Sequence, residues 1–274
     1  MSIVGISETM GSLGDDIGRE LGRRHGWEFA DREIISKAAE RFGESPIDLM
    51  HVTEEKPSLL ERIRDTYRQY VVSVEAILLE MASRDNVILS GRGATVVLAK
   101  IPHVLRVRIT APETVRAERI RQRMGLTPEA SLDQVRQADR ERAARIRFLY
   151  HVDWDDPLLY DVVLNTERLT VERATRMLEG VLEDPRWAGT PESRKRLADL
   201  SIAAQATAGL LVNPATRALK VLVSCTDGHV SVSGMVDRKE QRKAVDDLVS
   251  AISGVKGVLN EVTVRPVRIP GPSI

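Results

Sequence analysis

The first 21 residues place a short apolar run, a turn containing glycine and an amphipathic run in direct succession. The apolar run is Ile3–Ile6, the turn contains Gly11 and Gly14, and the amphipathic run begins at Ile17. We expect a strand, a turn and a helix in this order, which would aim backbone N–H groups and the positive end of the helix at a phosphate. The turn, with its N–H groups up to Asp16, is therefore a candidate phosphate cradle.

The turn departs from the P-loop pattern, in which a Gly-Lys-Ser or Gly-Lys-Thr sequence closes the loop. No Gly-Lys dipeptide occurs in the sequence, and Asp15 follows Gly14. Asp15 and Asp16 would also suit the first turn of any helix, because carboxylates are favoured near the positive end of the helix dipole. An ordinary strand-to-helix turn and a phosphate-binding loop therefore both remain open on these residues alone.

Apolar runs and helical patterns alternate through the first two thirds of the sequence. Runs at 27–30, 86–90, 104–110 and 161–165 predict further strands, and apolar residues within 58–83 recur at helical spacing. The alternation predicts an α/β fold in which a parallel sheet is flanked by helices on both faces. A hydrophobic content of 42% is sufficient to build the core of such a fold.

The alternating pattern stops at a stretch that contains Pro185, Gly189 and Pro191. Clustered proline and glycine are typical of a connection between domains, so we interpret this stretch as a linker. The predicted boundaries are 1–183 for the first domain, 184–192 for the linker, 193–268 for a smaller α+β domain and 269–274 for a disordered tail.

The second domain carries its own local signals. Asp227-Gly228 lies between two β-rich runs and predicts a hairpin. Asp237 and Glu240 have the spacing of a capping box at the start of a helix over 238–252. A last strand is expected at 258–264.

Charge and cysteine content restrict the classes of function. The 40 acidic residues balance the 40 basic residues, which argues against a protein that binds nucleic acid. Cys225 is the one cysteine, so an internal disulfide is excluded and a reducing compartment fits. The sequence shows no signal-like start and no apolar run of membrane-spanning length. We therefore expect a cytoplasmic location.

Five blocks of the first domain form a recognisable series: Ile6–Gly14, Gly26–Ile35, Val87–Ala94, Val107–Pro112 and Asp139–Thr166. In this order they resemble the cytidylate kinase-like family, a branch of the P-loop nucleoside monophosphate kinases. The resemblance implies the fold of those kinases, the use of ATP and Mg²⁺, and phosphoryl transfer to a nucleoside monophosphate such as CMP.

The resemblance also implies roles for individual residues. The nucleotide-binding set is Ser7, Gly11, Ser12, Gly14, Asp15 and Asp16. Within it, Ser12 and Asp16 are the candidates to hold Mg²⁺. The acceptor-binding set is Asp31, Arg32, Gly91 and Arg92. Asp15 stands where a cation is expected, and this exchange should cost several kcal/mol of transition-state stabilisation unless another cation replaces it.

Arginine is concentrated between Ile101 and Tyr150, where 11 arginines stand against 6 acids. The resemblance implies a lid in this region, and together these arginines could supply the charge that the loop lacks. A solvated helix laced by ion pairs is the alternative for each arginine taken singly. The catalytic candidates are Arg119, Arg123, Asp139, Arg142 and Arg145.

The second domain has a Val-x-Val-x-Gly motif, Val230–Gly234, before the predicted helix and a second motif, Gly254–Val262, after it. With these motifs it resembles the BON domain, a small bacterial module linked with phospholipid or partner binding. A generic small α+β module is the alternative. The resemblance implies a protein or phospholipid partner, and a homo-oligomer is compatible with it.

Three hypotheses follow from the sequence. The first is a kinase that transfers the γ-phosphoryl group of ATP to a nucleoside monophosphate. The second is a nucleotide sensor with little or no turnover, coupled to the BON-like domain, because the fold is expected to be intact while the loop cation is missing. The third gives the main role to the BON-like domain, as an adaptor that binds a partner or a membrane. A partner is favoured because residues 220–268 show no dense basic cluster and no strongly amphipathic anchor.

Overall fold

The computed structural model describes residues 2–43, 45 and 65–265. The chain forms two compact units, residues 1–197 and residues 198–274. The linker at 184–192 contains a short 3-10 turn, Pro185–Trp187, and the next helix begins at Pro191. The domain boundaries stay a prediction, and the tail at 269–274 lies outside the described residues.

The first unit contains a five-stranded sheet in which every neighbouring pair is parallel. The strand order is β2-β3-β1-β4-β5, so the N-terminal strand lies in the middle. This confirms the predicted α/β class with a parallel sheet. The strands are β1 (Ile3–Glu8), β2 (Glu28–Ala30), β3 (Val87–Ser90), β4 (Val104–Thr110) and β5 (Val162–Asn165).

Helices connect these strands. The helix predicted at 58–83 is seen over its described part, and residues 58–64 lie outside the described residues. A 3-10 turn, Pro157–Leu159, precedes β5. The helices of the first unit are α1 (Gly14–His25), α2 (Arg32–Phe42), α3 (Asp65–Ala82), α4 (Ala94–Val97), α5 (Glu113–Met124), α6 (Pro128–Tyr150) and α7 (Val171–Leu182), and α8 (Pro191–Val212) follows.

Strand β1 is the centre of the hydrophobic core. Ile3, Val4 and Ile6 have no exposed surface, because a central parallel strand is covered on both faces. Ile17 and Leu21 of α1 pack in the same cluster. Burial of each such side chain contributes roughly 1.5–3 kcal/mol, so β1 and α1 are held together firmly.

The second unit contains a separate three-stranded sheet of order β6-β7-β8, with strands β6 (Lys220–Thr226), β7 (His229–Val236) and β8 (Gly257–Val264). The pair β6–β7 is antiparallel and β7–β8 is parallel. Asp227 and Gly228 both have positive φ angles, of 57° and 78°, which confirms the predicted hairpin turn. The carboxylate of Asp199 accepts the N–H groups of both turn residues at 2.9 Å.

The cap of the last helix differs from the prediction. Helix α9 covers Lys239–Ser250. The side-chain oxygen of Gln241 accepts the backbone N–H groups of Asp237 and Arg238, at 2.9 and 3.1 Å. The predicted pairing of Asp237 with Glu240 is therefore wrong, because the helix begins one residue later and Gln241 takes the third helical position.

The helices within the described residues include none that is both long enough and apolar enough to cross a membrane.

Candidate functional site

A cavity of about 460 Å³ opens where β1 and β3 end. This is the carboxyl edge of the sheet, where open α/β folds bind their ligands. The turns after β1 and β3, the turn before α2 and one side of α6 surround it. Its charged lining consists of four arginines and four acids: Arg32, Arg92, Arg142, Arg145, Glu8, Asp15, Asp31 and Glu141.

The cavity brings together part of the predicted site. The predicted residues that line it are Ser7, Asp15, Asp31, Arg32, Gly91, Arg92, Arg142 and Arg145. The predicted residues that lie outside its lining are Gly11, Ser12, Gly14, Asp16, Arg119, Arg123 and Asp139. The cavity thus contains every residue of the acceptor-binding set, but only some residues of the nucleotide-binding set and of the catalytic set.

Glu8, the last residue of β1, is a cavity residue that sequence reasoning missed. Its Oε2 atom accepts the backbone N–H of Asp15 at 3.1 Å, so its carboxylate lies at the start of α1. A Cβ atom on Gly14 would lie 2.4 Å from that oxygen. Glu8 therefore fills space that the missing side chain of Gly14 leaves open. The available signal was an acid at the end of a buried strand, just before a turn able to bind an anion.

The environment of Glu8 opposes its ionisation. Burial is the main cause that raises its pKa, and the negative charges of Asp15 and Asp31 add to it. Arg142 and the hydrogen bond from Asp15 act in the opposite direction, and the resulting pKa is about 7. The carboxyl group therefore exchanges between its neutral and ionised forms near neutral pH.

Asp15 brings a second carboxylate to the same place. Its Oδ1 atom accepts a hydrogen bond from the Ser90 hydroxyl at 2.9 Å, which ties the start of α1 to the end of β3. Leu13, just before α1, has a φ angle of 69°, a left-handed conformation that is unfavourable for a leucine. The loop thus has the shape of an anion cradle but presents carboxylates to the cavity.

Ser7 is held by a buried cluster behind the loop. Its hydroxyl oxygen accepts hydrogen bonds from Arg108 at 2.9 Å and from the indole N–H of Trp154 at 3.0 Å. The Arg108 guanidinium lies 3.5 Å from the centre of the Trp154 ring. Arg108 was not predicted as a site residue, and its role here is to support Ser7 and the cavity wall.

The predicted Mg²⁺ ligands do not fit a shared metal site. The Ser12 hydroxyl donates to the carbonyl oxygen of Ile109 in β4 at 3.0 Å. Asp16 is exposed and does not line the cavity. No group of three or more histidine, cysteine, aspartate or glutamate side chains that could hold a metal occurs among residues 2–43, 45 and 65–265. We therefore derive no catalytic step through Mg²⁺.

Three of the predicted catalytic residues have neighbours outside the cavity. Arg119 donates to the carbonyl oxygens of Gly11 and Thr166, at 3.2 and 2.7 Å, and so joins the loop to the end of β5. Asp139 forms an ion pair with buried Arg116 at 2.8 Å. Arg123 is exposed on α5. Arg119 and Asp139 therefore contact protein groups here, and their catalytic roles stay predictions.

The arginines that line the cavity, from both the acceptor-binding and the catalytic set, are positioned by several elements. Arg92, in the turn after β3, forms an ion pair with Asp31 at 3.2 Å. Arg142, on α6, donates to the backbone carbonyl of Glu8 at 2.7 Å. Arg145 lies one helical turn further along α6 and is buried. Guanidinium groups that converge on one cavity can bind a phosphate through paired hydrogen bonds.

Comparison with known proteins agrees with both resemblances. Residues 3–168 match the cytidylate kinase-like family, and residues 198–266 match the BON domain. The cytidylate kinase of Methanopyrus kandleri is 27% identical over 190 residues, which cover 66% of this chain and 93% of that enzyme. The cytidylate kinase of Methanocaldococcus jannaschii is 31% identical over 108 residues, which cover 39% of this chain and 61% of that enzyme.

A solved structure of an uncharacterized protein from Eubacterium ventriosum has a similar fold. The two share 16% sequence identity and a TM-score of 0.54, over 67% of this chain and 99% of the other. At this identity the likeness concerns the fold alone.

We expect Gly14→Ala to destabilise the protein, because the new methyl group would overlap the Glu8 carboxylate. Overpacking of this kind costs about 1–3 kcal/mol. The free energy of unfolding, measured by urea denaturation, should fall by this amount in Gly14→Ala. It should fall by less when the same change is made in a Glu8→Gly background, which removes both the carboxylate and the Cβ atom that would lie 2.7 Å from the new methyl group. An equal loss in both backgrounds would contradict the packing of Glu8 over Gly14.

Proposed function

The chain belongs to the cytidylate kinase-like family, and we propose that it binds a nucleoside monophosphate such as CMP with little or no phosphoryl transfer from ATP. The observation that carries this proposal is the division of charge in the cavity. Arginines Arg32, Arg92, Arg142 and Arg145 line it, whereas Glu8 and Asp15 lie at the start of α1.

The arginines supply what a monophosphate needs. A phosphomonoester carries up to two negative charges and three acceptor oxygens, which guanidinium groups bind with paired, charge-assisted hydrogen bonds. The ion pair with Asp31 holds the Arg92 side chain in one orientation, and that side chain is only 7% exposed. An arginine oriented in advance loses less conformational entropy when the ligand binds.

The loop lacks what phosphoryl transfer needs. Transfer depends on cations that stabilise charge on the transferring group and its leaving oxygen. Glu8 and Asp15 contribute negative charge at the helix terminus that would otherwise receive those phosphates. Charge of the wrong sign at a few ångströms in a partly buried site raises the barrier by several kcal/mol.

Arg142→Gln should weaken the binding of CMP about 10- to 100-fold, because loss of a hydrogen bond to a charged group costs about 1.5–3 kcal/mol. Isothermal titration of the full chain with CMP, and with the other nucleoside monophosphates, measures this effect. Arg147→Gln is the matched control, since Arg147 is an exposed arginine on the same helix as Arg142 but outside the cavity. The proposal fails if wild type binds none of the monophosphates or if both variants bind like wild type.

A second candidate function is the ATP-dependent kinase reaction itself. Family membership and the two archaeal relatives named as cytidylate kinases favour it. In this case the arginines of the cavity would replace the missing loop cation.

A coupled assay of ADP release separates the two functions. With ATP, Mg²⁺ and CMP, we expect wild type to release no ADP above the rate without CMP. Asp15→Lys should make transfer measurable, because it replaces a carboxylate at the start of α1 by a cation. Brisk CMP-dependent turnover by wild type would establish the kinase and exclude the sensor.

We propose that the second unit binds a protein partner, and that nucleotide binding to the first unit changes this interaction. The match of the second unit to the BON domain supports partner or lipid binding. Over residues 198–274, nine basic residues are nearly balanced by seven acidic ones, which gives little net attraction to an anionic membrane. In a flotation experiment with vesicles of phosphatidylcholine and phosphatidylglycerol, we expect the full chain to remain in the bottom fraction. Flotation with the vesicles, but not without them, would identify lipid as the ligand instead.

A further inference from the structure

We propose that Glu8 is a built-in occupant of the phosphate cradle, and that its ionised carboxylate selects monophosphates over triphosphates by repelling the additional phosphates. The monophosphate half of this inference rests on the proposed function, whereas the exclusion of triphosphates rests on the geometry around Glu8. The inference thus assigns a specificity-determining role to Glu8.

The Glu8 carboxylate occupies the position that an external anion would take. Its oxygen accepts the N–H of Asp15, which belongs to the first turn of α1. N–H groups of a first turn point at bound anions, and the helix dipole favours negative charge there. Because Glu8 is part of the same chain, it competes with any free phosphate at a high effective concentration.

The surrounding residues hold Glu8 in this place. Gly14 leaves room for it, since a Cβ atom there would come within 2.4 Å of Oε2 and 2.7 Å of the Cβ atom of Glu8. Asp15, which donates the hydrogen bond, is itself tied to Ser90 on β3. The Glu8 side chain therefore packs into a space bounded by Gly14 and Asp15.

Charges from three elements act on Glu8: Asp15 on α1, Asp31 before α2 and Arg142 on α6. The cavity also contains Glu141 and three further arginines, Arg32, Arg92 and Arg145. Together with burial, these groups leave the pKa of Glu8 at about 7. The ionised carboxylate repels a phosphate, and the neutral carboxyl group does not. A triphosphate should therefore bind more weakly as the pH rises through 7.

The pH dependence of triphosphate affinity can be calculated if a triphosphate binds only when Glu8 is neutral. The apparent dissociation constant is then the intrinsic constant divided by the neutral fraction of Glu8. With a pKa of about 7, wild type should bind about 11-fold more weakly than a permanently neutral variant at pH 8. At pH 6 the difference should be only about 1.1-fold.

The test is titration of ATP into the full chain as wild type, Glu8→Gln and Glu183→Gln, at pH 8 and pH 6. Glu8→Gln keeps the size of the side chain and removes its charge, and Glu183→Gln removes an exposed charge outside the cavity. We expect the ratio of wild-type to Glu8→Gln dissociation constants to be near 10 at pH 8 and near 1 at pH 6. Because ATP is the same in both arms, its own protonation cancels in this ratio.

Glu8→Ala provides a second variant, which removes the side chain as well as the charge. It should bind ATP at least as tightly as Glu8→Gln at both pH values. The inference is overturned if neither variant binds ATP more tightly than wild type at pH 8, or if Glu183→Gln gains as much as they do. A parallel CMP titration tests the proposed function separately, since lack of CMP binding by wild type would refute that function without changing the ATP ratios.

Discussion

The central position of β1 in the parallel sheet determines where the charged groups of the cavity lie. Pairing with β3 on one side and β4 on the other brings the end of β1, the start of α1 and the turn after β3 to one edge. Glu8 is the last residue of β1, so its carboxylate meets the first N–H groups of α1. Ile3, Val4 and Ile6 fill the core on both faces of the sheet, so a shift of β1 by one residue would misplace all three side chains, and the core fixes this register.

The electrostatics of the cavity follow from that placement. One carboxylate at a helix N-terminus is favourable, but a second one nearby is not, because the two repel each other in a site partly shielded from water. Glu8 and Asp15 form such a pair: burial is the main cause of the raised pKa of Glu8, and the negative charge of Asp15 adds to it. The Glu8 carboxylate thus already serves as the anion at the start of α1. An external anion can instead bind on the other side of the cavity, around Arg92 and Arg142.

The spacing of apolar residues predicted the architecture well. Strands and helices each bury side chains at a characteristic spacing, and this spacing can be read from a short stretch of sequence. The hairpin at Asp227-Gly228 was predictable for a similar reason, since the turn type requires positive φ angles. The position of Glu8 was not predictable, because its side chain folds back onto residues six and seven positions later. Likewise, the pattern placed Arg119 on a helix face but could not show that this face meets the carbonyl groups of the loop.

Those carbonyl contacts explain how the loop keeps its shape without a cation of its own. Arg116 donates to Met10, Arg119 donates to Gly11, and the Thr166 hydroxyl donates to the carbonyl oxygen of Ser12 at 2.8 Å. The loop is therefore held by α5 and the end of β5, while Arg92 and Arg142 of the cavity belong to other elements. Under the proposed function, the arginines that bind a monophosphate stand on the turn after β3 and on α6, so monophosphate binding does not require a cation in the loop. The proposed function thus describes a kinase fold that binds a nucleotide without the loop cation on which phosphoryl transfer depends.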